Sequence, residues 1–202
     1  MNNYEYIIAG LPQISPDGKS AKDIDADGLI GFIRSQCDDY DKRLIDIVGE
    51  GFTGAENKEG FYKGVVRHRN RFIREFFSFD LALKNAKARH TNKILGQEED
   101  AYLVLPELED DFEEKEWLEG ILAMDDILLK ESELDKLVWE KIDGITRFDY
   151  FDIEAILAFV AKLHIVDRWL KLDEEKGKQL LKDALEQIRG TFSVEMINLP
   201  QE

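Results

Sequence analysis

The spacing of apolar residues in the middle of the chain is the feature that most constrains its fold. Over residues 61–90 they recur at steps of three and four, and the face they define consists of Phe61, Val65, His68, Phe72, Phe76, Phe79, Leu83, Ala86 and His90. Because an α-helix has about 3.6 residues per turn, such steps place these side chains on one side of a helix. The segment therefore predicts one long amphipathic helix of about eight turns, on the order of 45 Å.

A similar stripe precedes this segment. Between Ile30 and Ile47 apolar residues follow the same steps, and Asp25 or Asp27 can cap the N-terminus of the helix. The glycine pair in Gly49-Glu-Gly51 is the predicted end of this helix, since glycine is common where helices stop. The sequence thus predicts a second long helix before the first.

Helical spacing also fills the second half of the chain. Amphipathic stripes follow one another at residues 117–128, 134–145 and 180–188. Residues 151–170 are apolar on most sides, as in a buried central helix, and Asp149 or Asp152 can cap that helix. A last helix is predicted from Asp173 to Gly190.

Only the two ends of the chain depart from this spacing. YEYIIAGLP (4–12) and TFSVEMINLP (191–200) alternate as short extended segments do. The predicted fold is therefore all-α, a multi-helix bundle of long amphipathic helices with short extended termini. A chain of 202 residues can bury one sizeable core, so we expect a single helical domain over residues 1–202, with 1–96 and 107–202 as possible lobes.

Two motifs resemble ligand-binding loops but lack an essential part. DIDADGLIGFIR (23–34) has acids at loop positions one, three and five, yet Arg34 stands at position twelve, where a calcium loop needs a bidentate glutamate. GEGFTG (49–54) matches GxGxxG, but a helix precedes it where the dinucleotide motif needs a strand. The sequence predicts neither a calcium site nor a dinucleotide site.

Residues for catalysis do not converge in the sequence. None of the three histidines has a glutamate three residues before it, as a di-iron bundle requires, and HExxH and CxxC are absent. Cys37 lies on the apolar stripe of its helix, so we expect a small buried side chain, and a nucleophilic Cys37 paired with a histidine stays open. We therefore predict no catalytic, cofactor-binding or metal-binding residues.

Charge is distributed unevenly along the chain. The net charge is −16, which disfavours nucleic acid and favours basic partners. Residues 61–93 nevertheless contain nine Lys and Arg against two acids, whereas residues 97–119 contain eleven acids against one lysine. Either these segments pair with each other inside the chain, or they offer two oppositely charged docking surfaces; a merely solvated charged face is the third reading.

The sequence also predicts where the protein is found. No apolar run approaches the roughly 18 residues that span a bilayer. The start, MNNYEYIIAG, has no basic region, so we expect no signal peptide. A single cysteine is compatible with a reducing cytosol.

Two stretches resemble a known family of proteins. NRFIREFFSFDLALKNAKARHTNKILG (70–96) resembles a helix of the d-type subunit, also called the C-type subunit, of V-type ATPases. YFDIEAILAFVAKLHIVDRWLKLDEEKGKQLLKDALEQI (150–188), with the opening YEYIIAGLP, resembles a bacterial family of unknown function that is found with V-type ATPase genes and is thought to take the place of the d-type subunit. The likeness to this bacterial family extends over nearly the whole chain.

The resemblance implies a function in coupling. The d-type subunit is a helical funnel that joins the central stalk of the rotor to the membrane ring, and it has no catalytic residues. This chain would be a shortened form, peripheral on the cytoplasmic face of the inner membrane, with the stalk and ring subunits as partners and without cofactors of its own. Its candidate interface residues would be Arg67, Arg71, Arg74, Asn85 and Arg89.

Other hypotheses remain from the sequence. The arginines can bind carboxylates or helix C-termini of a partner through their planar fork, or they can pair with the acidic segment of the same chain. A stand-alone acidic helical adaptor or regulator that binds a basic partner is the alternative function. A helical enzyme is the third.

Overall fold

The structure, a computed structural model, describes residues 3–16, 24–110 and 113–171. In these ranges the chain forms α-helices and one short 3-10 helix, Pro106–Leu108, without a β-strand, which confirms the all-α prediction. The α-helices are, in order, α1 (Tyr4–Ala9), α2 (Ala26–Ser35), α3 (Asp39–Thr53), α4 (Lys58–Val65), α5 (Arg71–Leu95), α6 (Lys115–Leu122), α7 (Ile127–Ile145) and α8 (Ile153–Leu170).

The chain divides into two compact units, residues 1–167 and residues 168–202. In the first unit α5 contacts α3, α4 and α7, and α6 packs on α7. Side chains from α5, α6 and α7 form a buried apolar cluster of Phe79, Leu83, Leu118, Ile121, Leu122, Leu134 and Leu137. Residues from both predicted lobes therefore share one core.

The long helix predicted over residues 61–90 is divided into α4 and α5, so its predicted continuity was wrong. α4 ends at Val65, and the side chain of Asn70 accepts a hydrogen bond from the backbone nitrogen of Ile73 at 3.0 Å. An asparagine in this position satisfies a backbone amide at a helix start, so α5 begins there. The apolar stripe continues across the break because each helix buries the side chains that belong to the stripe, such as Val65 on α4 and Phe72 on α5.

The stripe between Ile30 and Ile47 is also divided, into α2 and α3. Asp25 caps α2, as predicted, whereas Asp38 starts a new helix by accepting hydrogen bonds from two backbone amides. The predicted end at residues 49–51 was wrong, because α3 continues to Thr53. The reason for glycine at position 51 is steric, because a Cβ there would collide with the ring of Phe77 on α5. The glycine in the GxGxxG match allows close packing of α3 on α5.

In the second half of the chain α7 and α8 begin at aspartate caps. The predicted stripe over residues 117–128 is divided between α6 and α7, because Asp126 caps α7 through the backbone nitrogen of Leu129. Asp152 caps the start of α8, as predicted, by accepting from the backbone nitrogen of Ala155 at 3.1 Å. The core residues of α8 confirm a buried helix, and they include Ile156, Leu157, Val160, Ala161 and Leu163.

The N-terminal segment is helical, although its alternation predicted an extended one. α1 is capped by Asn3, and Ile7 on it is fully buried. One buried residue per turn is enough to fix so short a helix, and alternation over six residues does not exclude that pattern. The segment 191–200 and the helix predicted from Asp173 lie outside the described residues.

Candidate functional site

The five residues predicted to contact a partner lie in different environments. Arg67 is exposed in the link between α4 and α5. Arg71 and Arg74 are in the first turn of α5, Asn85 is 1% exposed on the same helix, and Arg89 is partly buried one turn further on. Because Arg71 and Arg89 are separated by about 27 Å along the helix axis, the five do not form one site.

Asn85 is occupied by the loop that follows α5, residues 97–110, which we call the acidic loop. Its side-chain nitrogen donates to the carbonyl of Val104 at 2.9 Å and to Glu109 at 3.0 Å, and its oxygen accepts from the backbone nitrogen of Val104 at 2.9 Å. The amide thus satisfies both backbone groups of one loop residue, as a strand neighbour would. Asn85 therefore holds the loop and is not available to a partner.

Two further residues of α5 complete this contact, which we call the clamp. The guanidinium of Arg89 binds Glu109 through two hydrogen bonds, at 2.8 and 3.0 Å, and the hydrogen bond to Glu109 raises the pKa of Arg89. Asn92, also buried, donates to the carbonyls of Glu99 and Ala101. The clamp consists of Asn85, Arg89 and Asn92. Its Arg89–Glu109 ion pair is a contact between the basic segment 61–93 and the acidic segment 97–119 within one chain.

The acidic loop carries backbone strain. Tyr102 and Leu105 have φ values of 62° and 44°, in the left-handed region that costs an ordinary residue about 1–2 kcal/mol. Leu105 is buried, whereas the ring of Tyr102 is 83% exposed. The hydrogen bonds of the clamp hold this conformation in place.

A cleft of about 1200 Å³ lies between the end of α5, the acidic loop and α6. Its walls carry the basic residues Arg89, Lys93 and Lys115 and the acids Glu99, Glu109, Asp110 and Glu119, and its lining also includes the apolar Leu118 and Leu122. Charges of both signs alternate around it. This arrangement does not select an anion or a cation.

At its other end, α5 holds the turn between α7 and α8, residues 146–152, which we call the corner. Arg71 donates to the carbonyl of Ile145 at 2.7 Å and forms an ion pair with Asp149. The side chain of Asn70 donates to Glu154 at 3.0 Å. The corner itself is closed by the backbone hydrogen bond from Asp149 to the carbonyl of Thr146 at 3.0 Å. Arg71 therefore binds a helix C-terminus and a carboxylate, as predicted for a partner, but within the chain.

Three aromatic side chains of the corner point into solvent. Phe148, Tyr150 and Phe151 are 80%, 65% and 61% exposed. Single exposed apolar side chains are normal on a protein surface, but several on one turn are typical of binding sites. They were not predicted from the sequence, although aromatic residues that lie between two helical stripes, in RFDYF, were a usable signal.

Three exposed arginines belong to the corner or to the link that leads into Asn70 and Arg71, the residues that contact the corner and α8. Arg67 and Arg69 lie in the α4–α5 link next to Asn70, and Arg147 lies 5.9 Å from the ring of Phe148. None of the three forms an ion pair with a residue in the described ranges. The acids nearby have partners within the chain. Asp149 pairs with Arg71, Glu75 pairs with Arg71 and Arg74, Glu154 accepts from Asn70, and Asp152 accepts from the backbone nitrogen of Ala155.

Arg74 mainly stabilises the link. Its guanidinium donates to the carbonyls of His68 and Arg69, at 3.1 and 3.5 Å. Burial and then the charge of Arg74 lower the pKa of His68, whose Nδ1 accepts from the backbone nitrogen of Asn70. A neutral His68 thus fits this hydrogen bond.

Elsewhere in the described residues, the side chains that could take part in catalysis are buried or make structural contacts. Cys37 is buried, as predicted, and burial raises its pKa to about 11, which opposes a thiolate nucleophile. Tyr62, Asp80 and Lys84 bind one another at 2.5 to 2.8 Å, and burial raises the pKa of Tyr62. No group of three or more metal-ligating side chains occurs within the described residues.

Acidic residues also form an exposed surface of their own. Of the described acids between residues 98 and 119, Glu109 and Glu114 are partly buried, and those exposed are Glu98, Glu99, Asp100, Glu107, Asp110, Glu113, Glu116 and Glu119. We call these eight the acidic face. Arg89 is the one cation of residues 61–93 that pairs with this segment in the described structure, through Glu109 and Asp100.

Comparisons with known proteins give one family. A model described as a protein of unknown function (DUF2764) matches residues 105–191, less than half of the chain. No curated protein and no solved structure matches. Within the described residues, none of the helices is both long and apolar enough to cross a membrane. The matched segment includes the corner and α8, so the family match and the exposed rings fall on the same part of the chain.

Proposed function

We propose that the protein is a non-catalytic subunit of a V/A-type ion-translocating ATPase, similar to the d-type subunit, that couples the central stalk to the membrane rotor ring. The observation that carries this proposal is the place where the two resembling stretches meet. Asn70 and Arg71 begin one stretch, and Tyr150 and Phe151 begin the other. Asn70 donates to Glu154 in the second stretch, and Arg71 pairs with Asp149, the residue just before it. The same place exposes three aromatic rings.

A protein that couples two neighbours must transmit force between them, so its contact residues must be held rigidly. Arg71 supports this requirement because it joins α5 to the end of α7 by two kinds of contact, to a carbonyl and to a carboxylate. α5 has 25 residues, about 37 Å of helix, and connects the corner with the clamp. On this proposal the chain is peripheral on the cytoplasmic face of the membrane, through its protein partners.

Deletion of the chain from its own organism tests the proposal. We expect ATP-driven ion uptake into membrane vesicles to be lost, whereas ATP hydrolysis by the detached catalytic head stays at its wild-type rate. Affinity purification of the full chain from native membranes should recover the stalk and ring subunits. Fully coupled pumping in the deleted strain would exclude the function.

A second function is favoured by the acidic face. Eight exposed acids on residues 98–119 can bind a basic protein, and the chain would then be a stand-alone adaptor or regulator. The same deletion strain separates the two functions, because an adaptor predicts unchanged pumping. Affinity purification would then recover a basic protein without ATPase subunits.

A further inference from the structure

We propose that the corner is a docking site for a short acidic protein segment that also carries apolar side chains. The site consists of the rings of Phe148, Tyr150 and Phe151 together with the exposed arginines Arg67, Arg69 and Arg147. The inference rests on the proposed function for the identity of the partner complex, and on the structure for the surface and for the chemistry of its occupant.

The apolar part of the site is preorganised. The corner is closed by its own backbone hydrogen bond, tied to α5 by Arg71, and continued into α8 by the cap that Asp152 provides. Ordering a loop on binding costs free energy, and here that ordering is already present. Aromatic residues and arginine are also the side chains that contribute most to protein interfaces.

Charge determines what the occupant must be. Asp149 and Glu75 pair with Arg71 and Arg74 within the chain, and Glu154 and Asp152 accept hydrogen bonds from uncharged donors. Arg67, Arg69 and Arg147 have no carboxylate partner among the described residues. Around the corner five arginines thus stand against four carboxylates, in a protein whose net charge is −16, and the three arginines without a carboxylate partner are the exposed ones. A carboxylate-bearing segment with apolar side chains complements both parts.

The surroundings of Arg74 favour a short protein segment over an extended polyanion. A cleft of about 540 Å³ is lined by Arg74 and by Asp110, Glu113, Glu114 and Glu140. Lys141, also in the lining, pairs with Glu114, so the other acids remain. A nucleic acid or an anionic lipid surface would spread its charge over these acids as well, and would be repelled. A segment of a few residues can bind the arginines without contacting them.

Photo-crosslinking in the living cell tests this inference with the full chain. Phe148 is replaced by p-benzoylphenylalanine, and Tyr102 in the acidic loop, which is equally aromatic and 83% exposed, is replaced in a matched control. We expect position 148, and not position 102, to crosslink to a protein segment with net negative charge and apolar residues. Crosslinks to nucleic acid, to lipid, to a second copy of the chain or to a segment without acids would overturn the inference, as would their absence.

A synthetic peptide of the crosslinked segment then gives the energetics. The combined variant Phe148→Ala, Tyr150→Ala and Phe151→Ala should weaken binding to the purified chain at least about thirtyfold. Arg67→Glu with Arg69→Glu should weaken it about three- to tenfold, and more at low salt than at high salt. Tyr102→Ala should bind as the wild type does. Unchanged binding by the aromatic variant, with folding confirmed by circular dichroism, contradicts the proposal.

The identity of the crosslinked protein separates the two proposals. An acidic segment from the stalk or the ring of the ATPase supports both. An acidic segment of an unrelated protein supports the docking site and removes the coupling function. ATPase subunits that crosslink through position 102 and not through position 148 support the function and remove the docking site.

Discussion

Near its start, α5 uses Asn70 and Arg71 to hold the corner, whereas four turns later it uses Asn85 and Arg89 to hold the acidic loop. Both regions consist of an amide and a guanidinium that bind backbone and carboxylate groups of a later segment. The two regions differ in which side chains remain exposed to solvent. At the clamp Asn85 is buried and Glu109 is paired, but at the corner three rings and three arginines remain exposed.

The comparison shows that contacts of the same kind stabilise a loop in one region and present a surface in the other. Part-buried hydrogen bonds at the clamp stabilise a strained loop, so their loss should reduce the free energy of unfolding. Contacts at the corner present a surface, so substitutions on that surface should leave folding intact. Substitutions in the two regions can therefore break or sharpen this division.

Asn85→Leu should have the largest effect. The substitution removes three hydrogen bonds and leaves both backbone groups of Val104 without their partner, so we expect a loss of about 2–4 kcal/mol of unfolding free energy. Urea unfolding followed by circular dichroism measures it. Asn92→Leu is the graded control, since Asn92 donates two hydrogen bonds to loop carbonyls, whereas Asn85 makes three and is the acceptor for a backbone amide of the loop. Equal losses from both substitutions would contradict the special role of Asn85.

Arg71→Met should have the next largest effect, about 1–2 kcal/mol, because the carbonyl of Ile145 and Asp149 lose a charged donor on a half-exposed site. Hydrogen exchange of the Asp149 amide, which closes the corner, should become faster. Arg71→Lys is the matched control, because lysine keeps the charge without the two-pronged geometry. Exchange in the lysine variant should lie between wild type and Arg71→Met, and unchanged exchange in Arg71→Met would show that the corner is held by other contacts.

Helical spacing predicted the class of fold and the buried faces, because burial of one face imposes its period on the sequence. It did not predict where α3 and α5 begin. Those positions depend on Asp38 and Asn70, whose capping function is decided by local hydrogen bonds that the apolar stripe does not encode.

The candidate site was predictable only in part. Arg71 was predicted to meet a carbonyl or a carboxylate of a partner, and in the structure it binds one of each within the chain itself. Asn85 was predicted to contact a partner because it is a polar residue on a long helix. Its actual partner, Val104, is 19 residues later in the sequence, and the sequence alone does not show that this loop folds back onto α5. The rings of the corner escaped notice because aromatic residues are usually buried, and exposure depends on the tertiary structure.

Glu154→Gln tests the corner through pH. Burial raises the pKa of Glu154 above its ordinary 4.5, and the nearby Asp152 and Asp149 act in the same direction. A raised pKa means that the folded state binds the proton more tightly, so this contribution to stability is full below pH 4.5 and is lost as pH rises through the folded-state pKa. Glutamine keeps an oxygen for Asn70 and cannot ionise, so the variant should be at least as stable at pH 7 and should lack this decline.

Thermal unfolding between pH 4 and pH 7 measures this effect. Glu140→Gln, an exposed acid on α7, is the control and should keep the decline. If the stability of Glu154→Gln declined with pH as much as that of the wild type, the ionisation of Glu154 would not be the cause of the decline.

The combined replacement of Phe148, Tyr150 and Phe151 by alanine should have the smallest effect on folding. Because these rings are mostly exposed, truncating each should change the unfolding free energy by no more than about 0.5 kcal/mol, well below the loss expected at Asn85. The buried Phe79 on α5 is the matched control, and Phe79→Ala should cost about 3–5 kcal/mol. Urea unfolding of both variants decides the comparison. A large loss from the corner variant would show that the rings stabilise the fold, and their exposure would then no longer argue for a binding surface.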